Sequence, residues 1–247
     1  MISVTTADLL TAWELGLSQS GSRRLLTLLT AVYSEMSEKQ LLSLPIGQRD
    51  GLALRLRELL FGSQLTSVAI CPVCTEQLEF MLNVADIKVA ANPTTQTTQT
   101  PLTLALDGFE LGFRLPDSQD LLVIETISRV DEARKLLLER CLLSVARNGQ
   151  VCKVDSLPEE ILDKVEAAMS VADPQAEVQL DLSCPACQHK WLATFDIASF
   201  LWSEINVWAQ RLLNEVHLLA KAYAWREADI LAMSPTRRRF YLERVMQ

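Results

Sequence analysis

The sequence contains no long apolar run, and histidine, glycine and aromatic residues are scarce in it. No uninterrupted apolar segment in the 247 residues approaches the roughly 18 that suggest a membrane-spanning helix. The N-terminal segment MISVTTADLLTAWELG has neither a basic region before an apolar stretch nor a small-residue cleavage site, so it predicts no secretory signal. We therefore expect a cytoplasmic protein with no membrane partner.

Motifs of common catalytic and nucleotide-binding sites are also missing. The sequence has no GxxxxGKS, GxxxxGKT, GxGxxG, HExxH or GxSxG pattern, and it has only 2 histidines, the usual side chains of acid–base catalysis. Aspartate and glutamate are plentiful but are spread along amphipathic segments. We therefore expect a protein that is not an enzyme.

Basic charge is in short supply except at the C-terminus. The net charge is −8; residues 71–220 contain 11 basic and 22 acidic side chains, whereas residues 221–247 contain 6 basic and 3 acidic ones. An acidic body repels the phosphate backbone, because non-specific nucleic-acid affinity comes mostly from cations. Nucleic acid is therefore disfavoured as a partner, and only the C-terminal segment could bind phosphate.

The 6 cysteines include two closely spaced pairs, Cys71 and Cys74 in CPVC and Cys184 and Cys187 in CPAC. In a reducing cytoplasm such pairs are typical of a structural zinc site, since a two-residue gap in a tight turn aims both thiolates at one ion. Four thiolates leave no open position for water, so the predicted cofactor is a structural zinc ion rather than a catalytic one. Three alternatives stay open: redox activity of the CxxC pairs, four ordinary buried thiols, and His189 in place of one thiolate.

The two pairs are separated by residues 75–183, which is 109 positions, instead of the roughly 15 to 20 of a compact zinc ribbon. The segments that flank each pair alternate apolar and polar residues, as half-buried hairpins do. One zinc ion would join the two hairpins; closing so long a loop costs on the order of 4 kcal/mol, against roughly 10 to 16 kcal/mol of structural zinc binding. Cys141 and Cys152 are expected to be small core residues.

These segments predict an α+β fold that is mainly helical, with N-terminal and C-terminal helical segments around a small antiparallel, zinc-ribbon-like sheet. The turn that carries each CxxC pair is called a knuckle below. The expected parts are an N-terminal helical segment (1–64), the first knuckle hairpin (65–91), a flexible Thr/Gln loop (92–101), an inserted hairpin plus helices (102–175), the second knuckle hairpin (176–196) and a C-terminal helical segment (197–247).

The inserted segment contains signals for a hairpin and for a helix. LTLAL and FELGFRL flank Asp107 and Gly108, which predicts a β-hairpin that extends the ribbon sheet. Apolar residues every three to four positions then predict one long helix over about 118–146, capped by Asp117 or Ser118.

The C-terminal segment predicts a long amphipathic helix over about 197–223, followed by two shorter ones. Arg237, Arg238 and Arg239 are consecutive on the last helix and therefore do not share one face. We predict that these arginines and Tyr241 form a surface for an acidic partner. The alternatives are a solvated basic end of the chain and nucleic-acid binding.

Several segments follow the order seen in a known family. LTAWELG, RRLLTLL and LLSLPIGQRDGLALRLRELLFG lead into CPVCTEQLEF, and LERCLLS, CPAC and EVHLLAKAYAWREADILAMSPTRRRFYLERV follow. In this order and spacing the sequence resembles the T4-like phage baseplate protein family, which includes baseplate hub assembly proteins and counterparts in phage-tail-like contractile injection systems. The family pattern often has glycine after the second cysteine of the first pair, where this chain has Thr75.

The resemblance implies a non-enzymatic baseplate or baseplate-hub assembly protein, either a chaperone or a minor structural component. It implies hub, spike or wedge subunits as partners. It also implies a cytoplasmic location and leaves open whether the protein is retained in the assembled tail or injection particle. The alternative is a zinc-ribbon nucleic-acid-binding regulatory protein, which the four paired cysteines and the basic C-terminal helices would also suit.

Overall fold

The computed structural model describes residues 4–89 and 101–245, and the predicted flexible loop 92–101 lies outside them except for Pro101. The chain divides into two compact units, one made of Met1–Glu38 with Ala198–Gln247 and the other of Lys39–Ile197. We call them the helical unit and the sheet unit. None of the described helices has the length and apolar character that crossing a membrane requires.

The described helices occur in both units, whereas the described strands, all antiparallel and short, lie in the sheet unit. In chain order they are α1 (Thr6–Gly16), α2 (Gly21–Val32), α3 (Glu38–Leu42), α4 (Ile46–Phe61), β1 (Gln64–Ile70), β2 (Gln77–Asn83), α5 (Val84–Ile87), β3 (Leu102–Leu106), β4 (Phe109–Phe113), α6 (Ser118–Ile124), α7 (Val130–Cys141), β5 (Leu142–Arg147), β6 (Gln150–Val151), α8 (Glu159–Ala172), β7 (Val178–Ser183), β8 (Lys190–Phe195), α9 (Ile197–Tyr223), α10 (Glu227–Leu231) and α11 (Pro235–Val245), with a 3-10 turn at Val154–Ser156. The predicted α+β class, mainly helical with small antiparallel sheets, is confirmed.

The helical unit contains α1, α2 and α9 to α11. Thr5 and Asp8 form a capping box that starts α1. Trp13 Nε1 on α1 donates a hydrogen bond of 3.0 Å to Asn206 Oδ1 on α9. The predicted long helix over about 197–223 is confirmed by α9.

In the described part of the sheet unit, residues 39–89 and 101–197, the strands form three separate antiparallel sheets, β1–β2, β7–β8 and the four-stranded β3–β4–β5–β6. Its core joins the four-stranded sheet to α7 and α8 through buried side chains such as Phe113, Val145 and Ile161. Cys141 is fully buried in this core, as predicted, whereas Cys152 is only partly buried and packs against the core.

The predicted hairpin around Asp107 and Gly108 is confirmed as β3–β4, with φ angles of 50° and 79° at the two turn residues. Two positive φ angles match the twist of antiparallel strands. The expectation that this hairpin extends the ribbon sheet is wrong. Strand β4 pairs with β5 instead, so the four-stranded sheet shares no strand with the cysteine-bearing hairpins.

The predicted single helix over 118–146 is wrong. Asp117 caps its start as predicted, since the carboxylate accepts two backbone hydrogen bonds, but α6 ends at Ile124 and α7 begins at Val130. From Leu142 the chain forms strand β5. The apolar spacing of this short segment suits either a helix or a strand, and its pairing with β4 favours the strand.

Candidate metal centre

Two hairpins place the four predicted metal ligands. The turn of β1–β2 carries Cys71 and Cys74, and the turn of β7–β8 carries Cys184 and Cys187. Along both hairpins, exposed residues alternate with buried or half-buried ones, as the sequence pattern predicts. Each knuckle is therefore fixed at the end of a registered strand pair.

The two knuckles have the same backbone conformation. In the first, the N–H of Cys71 donates to Glu76 O at 2.9 Å and the N–H of Thr75 donates to Cys71 O at 3.0 Å. The second repeats both bonds, donated by Cys184 and Gln188, at 2.9 Å each. Thr75 and Gln188 have φ angles of 61° and 60°, a region that favours glycine.

The four sulfur atoms all lie within 4.8 Å of one another. Between the hairpins, Cys71 Sγ lies 3.6 Å from Cys187 Sγ, and Cys74 Sγ lies 3.5 Å from Cys184 Sγ. These separations exclude disulfide bonds, whose S–S length is about 2.05 Å. They are near the roughly 3.8 Å edge of a tetrahedron with Zn–S bonds of about 2.3 Å. The arrangement can therefore hold one tetrahedral metal ion.

Burial and hydrogen bonding distinguish an inner pair of sulfurs from an outer pair. Cys71 and Cys184 are buried, whereas Cys74 and Cys187 are exposed. Burial opposes ionisation of Cys71, but backbone N–H groups of its own knuckle outweigh it and lower its pKa to about 7. At Cys74 a backbone N–H also favours the thiolate, but the sulfur of Cys187 and burial raise its pKa to about 12. Four adjacent thiols thus need a cation before all of them can ionise.

Gln175 connects the second hairpin to the end of the first. It is buried in the segment between α8 and β7. Its Nε2 donates to Ile87 O at 3.2 Å, and the N–H of Val89 donates to its Oε1 at 2.7 Å. These partners follow β2 through α5, so Gln175 links the strand ends that lie away from the knuckles. Sequence reasoning misses this residue, because no local pattern marks a contact across 86 to 88 positions.

Gly47 brings the first turn of α4 against the same segment. Its N–H donates to Asp173 Oδ2 at 2.8 Å. A Cβ at this position would lie 2.0 Å from Asp173 Oδ1 and 2.8 Å from Ala176 N, so only glycine fits. This close approach gives the glycine of the GQRD segment a physical role in positioning β7.

His189 does not take part in the sulfur cluster. Its ring stacks on that of Trp191, with 6.0 Å between centroids and an interplanar angle of 9°. Among the described residues, the group of ligand atoms close enough to share one ion consists of cysteines alone. The geometry therefore favours four thiolates over a set that includes His189.

A buried ion cluster at the start of α6 is a second feature that sequence patterns miss. Asp120 is fully buried and accepts hydrogen bonds from both terminal nitrogens of Arg114, at 2.6 and 2.8 Å, and from Nε of Arg140 at 2.7 Å. Burial opposes its ionisation, but the two arginines lower the pKa of Asp120 to about 2. The cluster joins α6 to the residues after β4 and to α7.

The predicted partner-binding residues of α11 lie in different environments. Arg238 is 3% exposed; its Nε donates to Glu215 Oε2 at 3.0 Å and its Nη1 to a backbone carbonyl at 2.7 Å. Arg237 and Arg239 are exposed and Tyr241 is half-buried. The three arginines point to different sides, as predicted, and Arg238 binds within the fold. Partner binding by the other three residues stays a prediction.

Comparison with known proteins adds one finding. The family model described as T4 bacteriophage base plate protein matches residues 6–202, a range that includes all four clustered cysteines and ends within α9. No significant match was found among curated proteins or among solved structures. Because the matched residues make up well over half of the sequence, the chain belongs to the T4 bacteriophage base plate protein family.

Proposed function

We propose that this chain is a non-enzymatic assembly protein of the baseplate or baseplate hub in a contractile phage tail or phage-tail-like injection system. The family match over residues 6–202 carries this proposal, because membership indicates a structural, baseplate-associated protein. The proposed partners are hub, spike or wedge subunits. The protein would act in the cytoplasm during assembly and then either stay in the particle or leave as a chaperone.

The proposed cofactor is one structural zinc ion bound by Cys71, Cys74, Cys184 and Cys187. Three observations support it: the near-tetrahedral sulfur spacing, the matching knuckle conformations and the all-sulfur donor set. Thiolates suit zinc, whereas magnesium and calcium take oxygen ligands. A complete set of four protein ligands leaves no place for a reacting water, so the ion would stabilise the fold.

The ion would combine two separate sheets into one zinc-ribbon-like module. The β1–β2 and β7–β8 hairpins share no strand, and 109 residues separate their CxxC pairs. With zinc at the knuckles and Gln175 at the other strand ends, each hairpin would be held at both ends. A protein that assembles several subunits benefits from such fixed surfaces, since ordering them before binding lowers the entropic cost of association.

The test is an affinity pull-down of the tagged full-length protein from its native producer, with mass spectrometry of the soluble eluate and of purified contractile particles. Hub, spike or wedge subunits in the eluate are the expected result. Presence in the particle would identify a permanent component, and absence from it a chaperone. Nucleic acid or polymerase subunits in place of baseplate subunits would contradict the proposal and support the zinc-ribbon regulator, whose DNA binding should fall steeply with salt.

A further inference from the structure

Two arginines and two aromatic residues share one face of α11. Positions 237, 240, 241 and 244 fall within about 100° of the helix circumference, at about 100° per residue. The guanidinium of Arg237 lies 5.9 Å from the ring centre of Tyr241, and that of Arg244 lies 5.3 Å from the ring centre of Phe240. We call these four residues the basic-aromatic stripe.

The helical unit holds the basic-aromatic stripe in a fixed position. On another side of α11, buried Arg238 is bound to Glu215 of α9. Within the stripe, the Tyr241 ring meets Tyr223 and Trp225 edge-on, at 5.8 and 4.9 Å. A preordered surface loses less entropy on binding than a flexible tail does.

Within the part of the chain that the structure describes, the two arginines of the stripe have no carboxylate partner. Arg237 and Arg244 are exposed, and within residues 4–89 and 101–245 neither guanidinium forms an ion pair with a carboxylate. Phe240, between them, is 54% exposed. Arg239 lies on another face, where Glu243 of opposite charge is one turn away. The stripe thus combines two exposed positive charges with an exposed aromatic ring, and arginine and aromatic side chains are enriched at the energetic centres of interfaces.

We propose that the basic-aromatic stripe docks onto a carboxylate-rich surface of another baseplate protein, with an apolar contact for Phe240. The inference rests on the proposed function and specifies the chemistry of the partner. The two guanidinium groups, seven residues or about 10 Å apart along the helix, would each pair with carboxylate oxygens. The stripe follows the residues that match the family model, so the match itself assigns it no role.

Charge favours a protein over nucleic acid as this partner. The whole chain has a net charge of −8, which opposes the binding of a polyphosphate. A nucleic acid carries a negative charge on every nucleotide, whereas a protein surface can present a few carboxylates at the contact and little charge elsewhere. Complementary charge of this kind also directs the approach of the two partners.

The experiment measures binding of the full-length, zinc-loaded protein to a fluorescent helical peptide by anisotropy. The peptide carries glutamates two turns apart with leucines between them; a single-stranded DNA oligonucleotide of equal net charge is the second probe. Arg244→Glu and Phe240→Ser alter the stripe. Arg239→Glu is the matched control, because it makes the same charge change on the same helix but on another face.

We expect Arg244→Glu to weaken peptide binding at least about tenfold, Phe240→Ser about fivefold and Arg239→Glu less than about twofold. Equal losses in the two arginine variants would overturn the proposal, as would undetectable peptide binding or tighter binding of the oligonucleotide. Thermal melting checks that each variant is folded. If Arg244→Glu unfolds, Arg244→Gln takes its place. Because the peptide is not a baseplate subunit, this result and that of the pull-down can fail independently.

Discussion

Replacing Gly47 by alanine perturbs the contact between α4 and the segment that leads into β7. The added Cβ would lie 2.0 Å from Asp173 Oδ1 and 2.8 Å from Ala176 N, so both the carboxylate and the backbone must move. Gly51 lies one turn later on α4 and has no atom within 4 Å of an added Cβ. Gly51→Ala is therefore a matched control with the same chemical change on the same helix.

The expected effects of the two alanines have opposite signs. Displacing Asp173 breaks its 2.8 Å hydrogen bond from Gly47, which contributes about 1.5 to 3 kcal/mol for a charged acceptor, and overpacking adds about 1 to 3 kcal/mol. Alanine recovers about 1 kcal/mol of helix propensity at either position. We therefore expect Gly47→Ala to lower the free energy of unfolding by about 1.5 to 5 kcal/mol and Gly51→Ala to raise it by about 0.5 to 1 kcal/mol.

Urea unfolding of the full-length protein at a fixed zinc concentration, followed by tryptophan fluorescence, measures both values. A Gly47→Ala protein that is as stable as the wild type, or that is stabilised as Gly51→Ala is, would refute the close approach of α4 to Asp173.

Three further predictions use the same unfolding assay. Thr75→Gly should stabilise the protein by about 0.5 to 1 kcal/mol, because it relieves a positive φ of 61° at a β-branched residue; a loss of stability would contradict this. Asp120→Ala should lower the free energy of unfolding by about 3 to 5 kcal/mol, since it leaves Arg114 and Arg140 without their buried carboxylate partner. A decrease of less than about 1 kcal/mol would contradict a stabilising role for these ion pairs. Burial raises the pKa of Asp50 from 3.8 to about 6, so the folded state binds this proton more tightly than the unfolded state does and stability falls as pH rises from about 4 through about 6. Between pH 4 and pH 7 the free energy of unfolding of the wild type should fall by about 2 kcal/mol relative to that of Asp50→Asn, and a constant difference would be the contrary result.

Features that depend on neighbouring residues could be predicted from the sequence. The two-residue gap in CPVC and CPAC, with alternating flanks, is enough to predict two hairpins with paired cysteines at their turns. The Asp107 and Gly108 pair is enough to predict the β3–β4 turn, because few residue pairs accept two positive φ angles. The sustained apolar period predicts α9 for the same local reason.

Features that depend on distant partners could not be predicted. Leu142–Arg147 becomes a strand because β4 pairs with it, and nothing within the segment distinguishes this from the end of α7. In the sequence, the segment that contains Gln175 indicates only the end of a helix. In the structure, its side-chain amide forms hydrogen bonds to Ile87 and Val89, more than 80 positions earlier in the chain. Arg238 looks like one of three solvated arginines, and its burial against Glu215 depends on how α11 packs on α9.

We propose that one zinc ion joins the two knuckles. The most direct test is metal analysis of the purified full-length protein, together with the absorption spectrum after cobalt exchange, whose intensity reports tetrahedral thiolate ligation. We predict one zinc per chain in the wild type and in Cys152→Ser, which alters a cysteine outside the cluster, and loss of the metal in Cys184→Ser. A stably folded wild-type protein that binds no zinc and has four freely reactive thiols at Cys71, Cys74, Cys184 and Cys187 would contradict the account.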